Sequence, residues 1–246
     1  MSKLKIMIQL ALLLLITAGF SPKDDFSACK EELKKYVNEL GKIGVPSGKR
    51  VYYMNMTITT DMSSKSRIPD SDVTVRVYMS ATKLHYVSDV LSTYQDEENA
   101  FAVLPQRKVI VWSNGGKLPD AKSNMEMVTQ LQDTLVSLSN VVSCNESVEN
   151  GRAMKVLTMT PYKKAMDIFK VNKIEYSIDP NAKRIERVKT YYQPGEDIVM
   201  RSITYHELDL NYNKTNLAKS VYHEIFNASG KLLDKYKGYQ VIDNRN

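Results

Sequence analysis

A Tyr-His-Glu triplet occurs twice in this 246-residue chain, at 205–207 and 222–224, and holds the residues best suited to chemistry. If the segments around the two triplets pair as antiparallel strands, His206 and His223 lie close together. Two imidazoles and a carboxylate can bind a metal ion. Side chains alternate between the two faces of a strand, so both glutamates point away from the histidines. We therefore expect polar contacts between strands here and no metal site.

Common catalytic motifs are missing from the sequence. It lacks H-E-x-x-H, G-x-S-x-G and Cys-x-x-Cys, and its 10 glycines include no phosphate-binding loop. His85, the third histidine, stands alone and is expected on the solvent side of a strand. These observations argue against an enzyme and against a cofactor, with an unrecognised hydrolase as the weakest alternative.

Cys29 and Cys144 are the two cysteines of the chain. In an oxidising compartment such a pair can form a disulfide. The sequence does not show whether the two Cα atoms approach each other, so a disulfide and two free thiols both stay open.

The first 20 residues have the layout of a secretory signal peptide. Lys3 and Lys5 precede an apolar run at 6–16, and small residues follow at 17–19. The run is shorter than a membrane span, and no cysteine stands at the expected cleavage site near Gly19. We therefore predict an exported, soluble protein that is not itself acylated, with residues 21–246 as a single domain.

The charge pattern argues against a nucleic-acid partner. The formal net charge is +6, and basic residues alternate with acidic ones along the strand-like segments. That pattern indicates a solvated outer face, with weak attraction to an anionic membrane as the lesser alternative. A nucleic-acid interface would need basic residues clustered with aromatic residues.

The hydrophobic periodicity predicts a helix followed by a meander of strands. Apolar residues recur at helical spacing in 24–40. Short polar connections between the following strand-like segments favour antiparallel pairing. The predicted strands of this half are 50–61, 73–80, 82–94, 99–105 and 108–112.

A second helix, at 123–140, interrupts the meander, with Ser123 suited to cap it. The second half then returns to strands, with a broken segment at 161–170. Its predicted strands are 152–160, the hairpin 174–192, 198–210 and 219–226, and residues 231–243 close the chain. We expect one antiparallel sheet of ten or eleven strands with two or more helices.

This order of elements resembles the periplasmic lipoprotein carriers with the LolA/LolB fold, which sort outer-membrane lipoproteins. The similarity is strongest over 157–211, where a proline, a broken segment, a strand ending in Asp179, a hairpin, a Gly-containing turn and a further strand follow in the family's order. The resemblance implies a mostly β, α+β fold. In it an antiparallel sheet curls into an incomplete barrel, and helices cover an apolar cavity for acyl chains.

The resemblance also implies a periplasmic location and a set of partners. The cargo would be an acylated protein or another lipid, and inner- or outer-membrane lipoprotein-sorting components would deliver or receive it. We expect a monomer. One family feature is missing, because carriers have an arginine beside a proline in the early strands, and residues 79–88 contain Lys83 and His85 instead. A related role with another lipid or acylated partner is therefore as open as the shuttle role.

The resemblance further implies which residues line the cavity. Methionine suits such a lining because it is flexible and fills irregular space, and the chain has 12. The expected lining residues are Tyr52, Met54, Met56, Ile58, Val75, Val77, Met79, Tyr86, Phe101 and Trp112 of the strands, with Val128 and Leu131 of the mid-chain helix as a lid. The same residues would be buried in a filled core, and the protein would then be a cell-envelope interaction or scaffold protein.

Overall fold

The fold was analysed in a computed structural model, which describes residues 26–41, 46–116, 133–149, 151–214, 217 and 219–245. The expected signal peptide and the predicted lid residues Val128 and Leu131 lie outside these ranges. Residues 133–137 are helical, and short 3₁₀ turns occur at Pro105–Arg107 and Asp234–Tyr236. The other elements are α1 Ser27–Gly41, β1 Tyr52–Met62, β2 Ser71–Met79, β3 Leu84–Val87, β4 Ser92–Gln95, β5 Asn99–Leu104, β6 Val109–Asn114, β7 Ser139–Glu149, β8 Arg152–Pro161, α2 Lys163–Phe169, β9 Val171–Asp179, β10 Arg184–Tyr192, β11 Ile198–Asp209, α3 Tyr222–Ile225 and β12 Gln240–Asp243.

These strands form one open sheet in the order β12-β6-β5-β4-β3-β2-β1-β11-β10-β9-β8-β7. Neighbours pair antiparallel except β12, which runs parallel to β6. The edge strands β12 and β7 do not pair with each other. The expected fold class, a mostly β protein with an open antiparallel sheet and helices, is confirmed.

One face of the sheet, which we call the front face, carries α1 and the first hydrophobic core. Residues directly opposite each other on neighbouring strands share a face, and Leu157, Tyr176, Val188, Ile203 and Ile58 are opposite one another in turn across five strands. The front core packs helical side chains on this face of β8, β9 and β10. Its buried members are Leu33, Val37, Val136, Leu157, Met159, Val171, Ile174, Tyr176, Ile178 and Ile185.

The opposite face, the back face, carries the second core. Phe101, Tyr94, His85, Tyr78 and Tyr53 are opposite one another in turn across β5, β4, β3, β2 and β1. Residues 219–243, which we call the C-terminal segment, cover this face near β4, β5 and β6. The buried members of the back core are Tyr94, Phe101, Val103, Ile110, Val221, Ile225, Phe226 and Tyr236.

A disulfide joins Cys29 of α1 to Cys144 of β7, which settles the alternative left open by the sequence. Beside it, the Lys155 ammonium lies 2.6 Å from the Glu32 carboxylate. Both contacts hold α1 against the front face of β7 and β8.

The predicted strand at 219–226 is wrong, because residues 222–225 form the short helix α3. The Asp96 carboxylate accepts hydrogen bonds from Ser220 Oγ at 2.8 Å and from the Val221 backbone N–H at 2.9 Å. These bonds fix the start of the helical turn, and the turn directs Val221 and Ile225 into the back core.

Two strand boundaries also differ from the prediction. Residues 82–94 form two strands rather than one, because the Ser88 hydroxyl donates to the Leu91 carbonyl at 2.7 Å and closes a turn between β3 and β4. The predicted helix 123–140 ends before Ser139, where β7 begins. No strand was predicted at β7, because its apolar residues do not alternate over its length.

Candidate functional site

The front face of the central strands is apolar over most of its length. Met56 of β1 lies opposite Val75 of β2 and Tyr205 of β11, and Met54 lies opposite Val77 and Leu208. Tyr52 lies opposite Met79, Ile58 lies opposite Val73 and Ile203, and Val77 lies opposite Tyr86. We call this surface the apolar strip; it comprises Tyr52, Met54, Met56 and Ile58 of β1, Val73, Val75, Val77 and Met79 of β2, Tyr86 of β3, and Ile203, Tyr205 and Leu208 of β11.

The apolar strip is less buried than the cores beside it. Val75 is fully buried and Met79 is 9% exposed, whereas the other members are half-buried. Tyr205 also packs against the front core, so the strip and the core form one continuous apolar surface. Burial raises the pKa of the Tyr205 phenol, as desolvation disfavours a charged group.

Eight of the predicted lining residues share this strip: Tyr52, Met54, Met56, Ile58, Val75, Val77, Met79 and Tyr86. Phe101 and Trp112 do not join them, because the register places both on the back face. There Phe101 contacts Trp112 and Phe226 at ring-centroid distances of 5.3 and 6.0 Å. The two aromatic residues therefore belong to a packed core on the other side of the sheet.

Sequence reasoning missed the contribution of β11 to the strip. Ile203 and Tyr205 follow the expected alternation, but β11 pairs with β1 through a register shift at His206. A bulge of this kind inserts one extra residue and reverses the alternation beyond it. Leu208 therefore shares the face of Tyr205 although the two are three positions apart, and a simple period of two cannot reveal this.

The repeated Tyr-His-Glu triplets do not form the pair considered above. His206 lies on β11, with its Nε2 2.8 Å from the Thr57 hydroxyl on the back face, whereas His223 lies on α3. Within the described ranges no three His, Cys, Asp or Glu side chains group closely enough to hold a metal ion.

His85 is buried in the back core at 7% exposure, contrary to the expected solvent-side position. Its ring meets the Tyr94 ring edge-on, with centroids 5.2 Å apart. Its Nε2 lies buried with no hydrogen-bond partner in the part of the chain that is described. Burial lowers the pKa of the His85 imidazole, with smaller opposing effects from Glu224 and Asp96.

A polar groove of about 380 Å³ lies on the back face. It is lined by Asp72, Thr74, Arg76, Val87, Ser88 and Asp89. The groove carries charges of both signs and lies across the sheet from the apolar strip, so the two surfaces are separate.

Comparison with known proteins finds similarity in structure but not in sequence. No family model and no curated protein matches the chain. The chain is similar to the Mycobacterium tuberculosis lipoprotein LppX, at 16% identity and a TM-score of 0.44 over 77% of this chain and 99% of that one.

Two further solved structures extend this comparison. A putative outer membrane lipoprotein-sorting protein domain from Vibrio parahaemolyticus is 9% identical, with a TM-score of 0.31 over 76% of this chain and 94% of that one. A LolA superfamily protein from Nitrosomonas europaea is 8% identical, with a TM-score of 0.27 over 73% and 94%. The resemblance expected from the sequence is thus found among solved structures. These matches carry no argument about function, which must come from the residues of this chain.

Among the residues that the structure describes, no helix combines the length and the apolar character that a bilayer crossing requires.

Proposed function

We propose that the protein is exported to the periplasm and binds acyl chains, carried by a lipid or an acylated protein, on its apolar strip. Residues 21–246 would act as one binding unit. The observation that carries the proposal is the strip itself, a continuous apolar surface across four strands whose side chains are mostly half-buried. Contiguous apolar surface that a protein leaves partly accessible commonly marks an interaction site.

The energetic reason for such a surface is simple. Burying one CH₂ group is worth about 0.8 kcal/mol, so a sixteen-carbon chain left in water costs on the order of 10 kcal/mol. Methionines such as Met54 and Met56 can repack around an irregular chain because the side chain is unbranched and flexible. The strip therefore offers an acyl chain both apolar area and an adaptable shape.

A role in outer-membrane lipoprotein sorting is the narrower form of this proposal, and it follows from the family resemblance of the sequence. The competing function is that of an envelope scaffold whose interior is filled and whose surface binds a protein. The two functions differ in whether the apolar strip takes up a lipid. We propose binding and no catalysis for either.

Native mass spectrometry of the mature protein from an exporting host, with solvent extraction of bound lipid, tests the proposal. We expect a stoichiometric acyl species that is lost in Met56→Glu. Thr57→Glu is the matched control, because Thr57 is the next residue of β1 and lies on the back face. If Met56→Glu fails to fold, Val77→Glu serves the same purpose. A wild-type protein that carries no lipid and also refuses added hexadecanoic acid and lipopeptide would support the scaffold function instead.

A further inference from the structure

Beyond one end of the apolar strip, the front face becomes polar and carries a single charge. Arg201 of β11 lies directly opposite Thr60 of β1 and Thr190 of β10, and Thr60 lies opposite Ser71 of β2. This row precedes the apolar row of Val73, Ile58 and Ile203 on the same face. A guanidinium among hydroxyl groups therefore borders the surface proposed to bind acyl chains.

Arg201 is the one charged side chain on the front face of β1, β2, β3 and β11, as the strand registers show. The other charged residues of these strands lie on the back face. Arg76 and Glu207, for example, both lie opposite Asn55. Arginine on a half-buried apolar surface is costly unless its charge is compensated. We therefore expect the Arg201 guanidinium to bind a negatively charged group.

The partner of Arg201 is not found among the described residues. Its Nε is buried and has no hydrogen-bond partner there, and no carboxylate of the described ranges forms an ion pair with it. In contrast, Lys155, which also lies on the front face, is paired with Glu32 at 2.6 Å. A buried donor with no acceptor costs about 1–3 kcal/mol, and more when the group is charged, so an external acceptor at this position would bind favourably.

We propose that the ligand of the apolar strip is an anionic amphiphile, whose carboxylate or phosphate head binds Arg201 while its acyl chain lies along the strip. This inference rests on the proposed function and narrows it. Guanidinium groups bind carboxylate and phosphate through paired hydrogen bonds, and Thr60, Thr190 and Ser71 add hydroxyl groups beside the head. An anionic lipid thus fits the site better than an acyl chain attached through a neutral linkage.

The test compares three probes with the same sixteen-carbon chain: hexadecanoate, hexadecyl phosphate and hexadecanol. Binding to the delipidated full-length mature protein is measured by titration calorimetry at about pH 8, where the free carboxylate is ionised, and below the critical micelle concentration. We expect both anions to bind more tightly than the alcohol. In Arg201→Gln the anions should lose about 10- to 100-fold in affinity, while hexadecanol binding stays the same, and Arg201→Lys should retain part of the preference.

Two controls separate this inference from the proposed function. Arg76→Gln removes a cation from the back face and should leave all three affinities unchanged. If the three probes bind equally well to the wild type and to Arg201→Gln, the charged head plays no part and the inference is overturned, while the acyl-binding function stands. If none of the probes binds the wild type, the proposed function fails and the inference fails with it. A preference for one anion over the other identifies whether the natural head is a carboxylate or a phosphate.

Discussion

Cys29 of α1 and Cys144 of β7 are 115 residues apart in sequence, yet their Cα atoms lie 6.6 Å apart and their sulfurs are bonded. The bond ties the first helix to an edge strand of the sheet. The helix in turn places Leu33 and Val37 in the front core. The disulfide therefore links the packing of the front core to the position of α1.

Removal of this disulfide is expected to destabilise the protein substantially. Closing a loop of this length stabilises a fold by about 4–5 kcal/mol in the chain-entropy model, so Cys29→Ser/Cys144→Ser should lose several kcal/mol in urea unfolding. Dithiothreitol should lower the urea midpoint of the wild type to about that of the double variant. It should not change the midpoint of the double variant itself. An equal midpoint for oxidised and reduced wild type would contradict this prediction.

Much of the fold could be predicted from the sequence, because apolar alternation and turn residues are visible within a few neighbouring positions. Alternating apolar residues specify β1, β2 and the β9–β10 hairpin, and Asp179 begins the turn of that hairpin with a hydrogen bond from the Asn181 N–H at 2.9 Å. The edge strand β7 escaped prediction because a bulge at Val142 interrupts its alternation. Its apolar residues Val142 and Val148 are also exposed, so β7 lacks the buried apolar face that marks the other strands.

The composition of the candidate site could be predicted only in part. Alternation tells which residues of one strand share a face, but not which face of the next strand they join. Phe101 and Trp112 were assigned to the face of Met56 for this reason, and the register places them on the other side. Arg201 likewise becomes conspicuous only when the pairing of β11 with β1 is known.

Asp96 is expected to be essential for docking of the C-terminal segment. Burial alone would raise the pKa of this carboxyl, but hydrogen bonds from Val221, Asn99, Ser220 and Glu98 outweigh it and lower the pKa. Asp96→Asn cannot accept all four bonds, so we expect a loss of about 2–4 kcal/mol in the free energy of unfolding. Asp209→Asn is a suitable control, since Asp209 accepts a turn hydrogen bond from the Asn211 N–H and should change stability by much less.

A pH-dependent loss of stability is expected from His85. Because burial lowers the pKa of its imidazole in the folded protein, the unfolded chain takes up a proton first as the pH falls. His85 therefore costs no stability above its ordinary pKa of 6.5, and stability declines below that pH by at most about 1.4 kcal/mol per pH unit. Glu224 and Asp96 oppose the lowering, whereas Lys83 and Lys235 add to it.

Urea unfolding of His85→Gln between pH 7 and pH 5 measures this contribution. We expect a shallower pH dependence than in the wild type, because the variant has no imidazole at the buried site. His223→Gln replaces an exposed histidine on α3 and should keep the wild-type slope. Identical slopes for the wild type and His85→Gln would show that the buried imidazole does not titrate over this range.

Because the back core and the apolar strip lie on opposite faces of the sheet, we expect a destabilising substitution in the back core to leave acyl binding unchanged. Phe101 is 2% exposed and packs against Trp112 and Phe226, so Phe101→Ala should lose about 3–5 kcal/mol in the free energy of unfolding. At a temperature where the variant remains folded, as judged by circular dichroism, its affinity for hexadecanoate should equal that of the wild type. Met56→Glu should show the reverse pattern, with a larger loss of affinity than of stability. Loss of binding in folded Phe101→Ala would mean that the acyl chain reaches the back core, and the site would then have to be moved from the front face.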